Sequence, residues 1–136
     1  MYRYQILDHS ADIKLKIEAD SLKELFRGAA IALSEILAQE EDIDYKTKIG
    51  EEISLRSYDY NVLLVDFLNE ILALSDIKNS VFKEIIIKEI SENEIFAIIK
   101  GHPIRRFNRE IKAVTYHQLE IKKVNNLYQT IILFDI

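Results

Sequence analysis

The sequence predicts an α+β fold, a two-layer sandwich in which two helices pack on one face of a mostly antiparallel sheet. First, the chain has 136 residues, 49% of them hydrophobic, which suits one domain with its own core. Second, two stretches space their apolar residues as helices do, whereas the others alternate apolar and polar residues. Third, four alternating stretches follow the second helix without interruption, which favours hairpins and antiparallel pairing. We therefore treat residues 1–136 as a single domain.

The N-terminal part is predicted to form two strands and a helix. Residues 2–8 and 12–19 alternate apolar with polar side chains, as half-buried strands do. Ser21 and Glu24 have the spacing of a capping box, in which each side chain satisfies a free backbone N–H group at the start of a helix. Apolar residues then recur at helical spacing over residues 22–38.

The remaining elements are one strand, one helix and four further strands. Asp59 is the predicted N-cap of the second helix, whose apolar band is wide enough to predict burial against the sheet. Asn93 and the pair Asn125 and Asn126 mark hairpin turns. The predicted strands cover residues 49–57, 81–90, 95–100, 111–124 and 127–134. The order is β-β-α-β-α-β-β-β-β, and the pattern does not give the order of strands within the sheet.

Composition excludes several classes of function. The chain has no cysteine, so disulfides, thiolate nucleophiles and cysteine-ligated metals are excluded. With only three glycines it cannot build a glycine-rich phosphate loop, and no nucleotide-binding or hydrolase motif is present. A net charge of −5 disfavours direct binding of nucleic acid. No apolar run has the length of a membrane span and no signal-peptide pattern is present, so we expect a cytoplasmic protein without membrane contact.

A first candidate site lies between the first two strands. Asp8, His9 and Asp12 place two carboxylates and an imidazole within five residues, at a connection where ligands are commonly bound. Carboxylates are the ligands that hard cations prefer. The alternative is that both aspartates are turn residues bonded to nearby backbone N–H groups, with His9 incidental.

A second candidate site is the C-terminal end. The last strand runs directly into Asp135 and Ile136, so the Asp135 side chain and the terminal carboxylate stand one residue apart. A cation or a basic partner would relieve their repulsion. The alternative is that both groups simply face water.

A third feature is a basic segment over residues 100–123. Seven lysines and arginines outnumber two glutamates there, and residues 101–109 resemble an exposed loop suited to a phosphate-bearing or acidic partner. A loop that is only solvated is the alternative. If residues 112–117 form a strand, each of its two faces carries both polar and apolar side chains. A polar side chain there should therefore be buried, paired or lining a cleft. His9 and His117 could approach each other.

Five motifs together resemble the archease family from end to end. They are DHSADIK from Asp8, SLKELFRGAAIAL from Ser21, LLVDFLNEILALSD from Leu63, EIKAVTYHQLEI from Glu110 and FDI from Phe134. The resemblance implies a non-enzymatic accessory protein of the RNA-splicing ligase that joins 2′,3′-cyclic phosphate and 5′-hydroxyl ends. Such a protein promotes guanylylation of the ligase and its multiple turnover. It also implies an alternative partner, a tRNA cytosine-5 methyltransferase served by a chaperone. A metal-dependent phosphoesterase is disfavoured, because it needs an activated water and a substrate pocket.

The resemblance also implies a metal site with nearby partner-facing residues. A divalent cation, calcium first and magnesium or manganese as alternatives, would be held by Asp12, Asp135 and the terminal carboxylate of Ile136. The residues around the cation or facing the partner would be Asp8, His9, Lys112, Thr115 and His117. Lys14 departs from the family pattern, which has glycine there, so the approach of a partner at that position is in question.

Overall fold

The computed structural model describes residues 1–8, 11–115 and 119–136. Within these ranges the chain forms eight strands and two α-helices, and the predicted α+β class is confirmed. The elements are β1 (Tyr2–Asp8), β2 (Asp12–Ala19), α1 (Leu22–Leu37), β3 (Ile49–Arg56), α2 (Tyr60–Lys78), β4 (Ser80–Ile90), β5 (Glu94–Pro103), β6 (Ala113–Thr115), β7 (Lys122–Val124) and β8 (Leu127–Asp135). A single 3₁₀ turn, Glu40–Asp42, follows α1.

Both helices begin at the predicted caps. The Ser21 hydroxyl accepts a hydrogen bond from the Glu24 backbone N–H at 3.1 Å, which starts α1. The Asp59 carboxylate accepts from the Val62 N–H at 2.9 Å and starts α2. α2 ends at Asn79, whose φ of 48° is the left-handed conformation that often closes a helix. Neither described helix combines the length and apolar character that a membrane crossing requires.

The strands divide between two antiparallel sheets. The larger sheet has the order β1-β2-β8-β6, with β7 also paired to β8, and the smaller one has the order β3-β5-β4. Every strand pairing in the described residues is antiparallel, whereas the sequence predicted a single, mostly antiparallel sheet. β5 continues through residues 101–103, so the start of the predicted basic loop is strand.

The continuous strand predicted over residues 111–124 is wrong. β6 and β7 both pair with β8, but the described residues 119–121 before β7 lie outside any strand, and two of their backbone groups bond to side chains. The Ile121 N–H donates to Asn61 of α2 at 2.9 Å, and the Glu120 carbonyl accepts from the Thr130 hydroxyl at 3.0 Å. Because these side chains satisfy the backbone groups, the chain does not need a strand ladder there.

The core lies where the helices meet the inner faces of the sheets. α1 contacts β1, β2 and β8 of the larger sheet and β4 of the smaller one, whereas α2 contacts β6 and all three strands of the smaller sheet. Along β2 the side chains of Ile13, Leu15 and Ile17 are buried, and those of Lys14 and Lys16 point to the other side. The larger sheet therefore has an inner face under the helices and an outer face that no described helix or strand covers.

Candidate functional site

Asp12 and Asp135 come together although they lie near opposite ends of the chain. They are register partners in the β2–β8 pairing, and both belong to the outer face of the larger sheet. Residues directly opposite in an antiparallel pair have Cβ atoms about 4.5–5.5 Å apart. Asp12 is half-buried and Asp135 is exposed. Neither carboxylate takes part in an ion pair with another residue of the described ranges.

The chemistry of this pair suits a hard divalent cation. Two side-chain carboxylates next to the end of the chain form an all-oxygen donor set, which calcium, magnesium and manganese accept. Within the part of the chain that the structure describes, no three His, Cys, Asp or Glu side chains converge as metal ligands. Calcium takes about 6–8 oxygens. The side chains present therefore fit the cation in donor type, while further oxygen ligands would have to complete its coordination.

Asp8 belongs to the other side of the sheet. It is the register partner of Ile13, whose side chain is in the core, so alternation places Asp8 on the inner face. Its carboxylate accepts from the Arg109 guanidinium at 2.6 and 3.4 Å. This two-point contact ties the end of β1 to the basic segment, which is the arrangement a planar guanidinium favours.

β6 and the residue before it bring two of the predicted residues, Lys112 and Thr115, to the same end of the sheet. The Lys112 backbone N–H donates to the Asp135 carbonyl at 2.8 Å, and Ala113 is the register partner of Asp135. The Lys112 side chain is exposed. The Thr115 hydroxyl is buried and has no hydrogen-bond partner among the described residues. A buried hydroxyl without a partner is uncommon, and it adds an unused polar group to this region.

Asn69 of α2 is a residue that the sequence reasoning missed. Its side-chain amide accepts from the Val114 N–H at 2.9 Å and donates to the Val114 carbonyl at 3.1 Å. Asn69 therefore gives β6 the donor and acceptor that a neighbouring strand would give. Asn61, two turns earlier on the same helix, accepts one hydrogen bond from the Ile121 N–H at 2.9 Å. The signal in the sequence that could have indicated this role is an asparagine inside an apolar helix, because asparagine has a low intrinsic helix propensity.

A groove of about 630 Å³ lies between α2 and residues 107–112. Leu72 and Phe107 contribute apolar surface, and Arg109 and Lys112 stand among its charged residues. Lys112 therefore lies beside a concave surface and close to the backbone of Asp135.

Several of the predicted basic side chains already have acidic partners inside the molecule. Arg105 and Arg106 donate to the buried carboxylate of Asp42 at 3.1 and 3.4 Å, and Arg109 binds Asp8. Asp42 is only 2% exposed, so its two arginines compensate a charge that would otherwise be costly to bury. These pairs tie the basic segment to the fold. His9 and His117 lie outside the described residues, and their approach stays a prediction.

Comparison with known proteins gives a consistent result. Residues 4–136 match the profile of the Archease protein family (MTH1598/TM1083). A protein named archease from Methanosarcina acetivorans is 36% identical, over 98% of this chain and 96% of its own. One from Pyrococcus abyssi is 30% identical, with 91% of each chain covered.

Two solved structures share the fold. The solution structure of Methanobacterium thermoautotrophicum protein 1598 superposes with a TM-score of 0.73 at 26% identity, over 98% of both chains. The crystal structure of a Thermotoga maritima protein, described as an archease and possible chaperone, has a TM-score of 0.68 at 24% identity over 97% and 96% of the two chains.

Proposed function

The chain belongs to the archease family, and from this premise we propose that it acts in the cytoplasm as a metal-binding, non-enzymatic accessory protein of the RNA-splicing ligase. That ligase joins 2′,3′-cyclic phosphate and 5′-hydroxyl RNA ends. The protein would promote guanylylation of the ligase and its multiple turnover. The observation that carries the proposal is the pairing of Asp12 with Asp135 at one end of the larger sheet.

The sheet supports the two carboxylates from both sides. β8 lies between β2 and β6, so the backbone at Asp135 is bonded to neighbouring strands in both directions. Carboxylates fixed by such ladders need little reorganisation when they bind a cation. Asp12, Asp135 and the terminal carboxylate of Ile136 would hold a divalent cation, with calcium first and magnesium or manganese as alternatives. When bound, this cation supplies a positive charge that a phosphate or carboxylate oxygen of the partner can approach.

Lys112, which directly precedes β6, and Thr115 of β6 are the residues that would face the partner. The Lys112 ammonium is exposed, and its backbone is fixed to Asp135, so the charge is held near the carboxylate pair while its side chain stays free to move. An ammonium at this place can bind a phosphate of the guanylate or a carboxylate of the ligase. The Thr115 hydroxyl of β6 is buried and has no hydrogen-bond partner within residues 1–8, 11–115 and 119–136.

Single-turnover guanylylation of the cognate ligase with GTP and a divalent metal tests the proposal. Wild type, Asp12→Ala and a protein with a few residues added after Ile136 are compared. Glu92→Ala is the matched control, because it removes an exposed carboxylate from the turn between β4 and β5. We expect wild type and the control to accelerate the reaction and the two site variants to fail while folded. A wild-type protein without effect, or site variants that match it, would overturn the proposal.

A chaperone for a tRNA cytosine-5 methyltransferase is the second candidate. It is favoured by half-buried apolar side chains on the outer side of the smaller sheet, where Ile86 is the register partner of Ile98 and Phe96 lies on the adjacent row. Apolar surface of this kind is typical of protein–protein contact. This role predicts that stoichiometric amounts prevent aggregation of the methyltransferase, measured by light scattering, without any effect on the ligase. Phosphoester hydrolysis by the protein alone would instead indicate an enzyme.

A further inference from the structure

The outer face of the larger sheet combines charge and apolar surface in a regular array. We call it the open face, and the register of β2 and β8 pairs its central residues as Asp12 with Asp135, Lys14 with Leu133, Lys16 with Ile131, and Glu18 with Gln129. Successive rows are about 6.7 Å apart along the strands. Both helices lie on the other side of this sheet, so the open face carries no layer of the described chain.

Two lysines on the open face lack acidic partners. Lys16 is exposed and Lys14 is half-buried, and neither forms an ion pair within residues 1–8, 11–115 and 119–136. Glu18, the nearest carboxylate along the strand beyond Lys16, already accepts from Arg3 and, at 3.0 Å, from Gln129. The open face therefore presents two adjacent positive charges on a protein whose net charge is −5.

Apolar side chains stand directly beside these lysines. Ile131 is 48% exposed, and Leu133 is half-buried in the next row. A groove of about 540 Å³ crosses the same face, and both Lys16 and Ile131 line it. Most side chains that line this groove are polar or charged, and Ile131 adds apolar surface among them. Such a mixture of apolar and charged side chains is usual in a protein interface.

We propose that the open face docks an acidic segment of the partner protein, with carboxylates on Lys14 and Lys16 and apolar side chains on Ile131. This inference rests on the proposed function, since the partner is then the ligase. The row of Asp12 and Asp135 adjoins that of Lys14, so a segment bound here extends to the carboxylate pair. Charge complementarity of this kind sets partner orientation and speeds association.

A protein segment fits this face better than RNA does. Tyr2, Tyr4 and Tyr128, which could stack on bases, belong to the inner face by strand alternation.

Binding to the purified ligase tests the proposal, measured by biolayer interferometry at low and high salt. We compare wild type, K14E/K16E and I131T with K23E/K88E, a control that makes the same charge change at two exposed lysines elsewhere. K14E/K16E should weaken binding roughly tenfold or more, with slower association and a smaller salt dependence. I131T should weaken it several-fold, and the control should bind as wild type. K14Q/K16Q, which adds no negative charge, replaces the double reversal if thermal unfolding shows a fold defect.

The outcomes separate this inference from the proposed function. If wild type stimulates guanylylation but K14E/K16E binds within twofold of it, the open face is not the docking surface and the proposed function stands. If wild type neither binds nor stimulates the ligase, the proposed function fails and the inference with it. Equal weakening by the control would show an effect of net charge alone and overturn the inference. If wild type binds a fluorescein-labelled RNA and K14E/K16E abolishes that binding, the occupant of the open face is RNA. This result would also overturn the inference.

Discussion

Replacing Asn69 by alanine removes the side chain that connects α2 to β6. Two hydrogen bonds to the Val114 backbone are lost, each worth about 0.5–1.5 kcal/mol net. Val114 is 3% exposed, so water cannot readily replace them, and the loss lies at the upper end of this range. The better helix propensity of alanine returns about 0.5 kcal/mol. We expect Asn69→Ala to lower the free energy of unfolding by about 2–3 kcal/mol.

Urea unfolding followed by circular dichroism measures this loss. For 136 residues the unfolding entropy is about 0.3 kcal/mol/K, so thermal unfolding of Asn69→Ala should show a Tm about 7–10 °C lower than that of wild type. Glu70→Ala, at the next position of α2, serves as the control. Hydrogen exchange at the Val114 amide should accelerate in Asn69→Ala. Stimulation of the ligase should fall because Lys112 directly precedes β6. A change in unfolding free energy below about 0.5 kcal/mol with unaltered exchange would refute the reasoning.

Three further predictions concern stability. A Cβ at Gly101 would lie 1.8 Å from a carbonyl oxygen of β4, so Gly101→Ala should lower the free energy of unfolding in urea by about 3 kcal/mol or more. At Gly50 the nearest atom to an added Cβ is 3.7 Å away, so Gly50→Ala should cost less than about 1 kcal/mol. Equal costs for the two variants would contradict this prediction. Asp42→Asn should lower the free energy of unfolding by about 1–2 kcal/mol, a modest value because the two arginines that bind Asp42 are largely exposed. This loss should be smaller at high salt, and a larger loss in 1 M salt would contradict the prediction. Burial and the Glu35 carboxylate raise the pKa of Tyr4 above its value in the unfolded chain, so the stability that Tyr4 contributes is complete below about pH 10 and is lost as pH rises further. Tyr4→Phe should reduce this alkaline loss of unfolding free energy, measured by urea titration at several pH values. An identical pH dependence in wild type and Tyr4→Phe would exclude Tyr4 as the source of the loss.

The fold class and most elements could be predicted from local pattern. The caps at Ser21 and Asp59 and the alternation of β1 and β2 depend on neighbours within a few residues, and these predictions are confirmed. The strand predicted over residues 111–124 was wrong because the structure of this segment depends on residues that are distant in the sequence. Its backbone partners include Asn61 and Asn69 on a distant helix, and alternation within the segment contains no trace of them.

The sequence names the residues of the candidate site but does not give their arrangement. The sequence by itself determined an α+β chain without cysteine or a phosphate loop, with carboxylates at Asp12 and Asp135, because composition and short-range periodicity are properties of the chain. Only the tertiary structure decided that these carboxylates are register partners, that Asp8 belongs to the other face with Arg109, and that two lysines share the outer face with the pair. Strand register is set by the packing of a whole inner face against helices, and a shift of one residue would move every side chain to the opposite side.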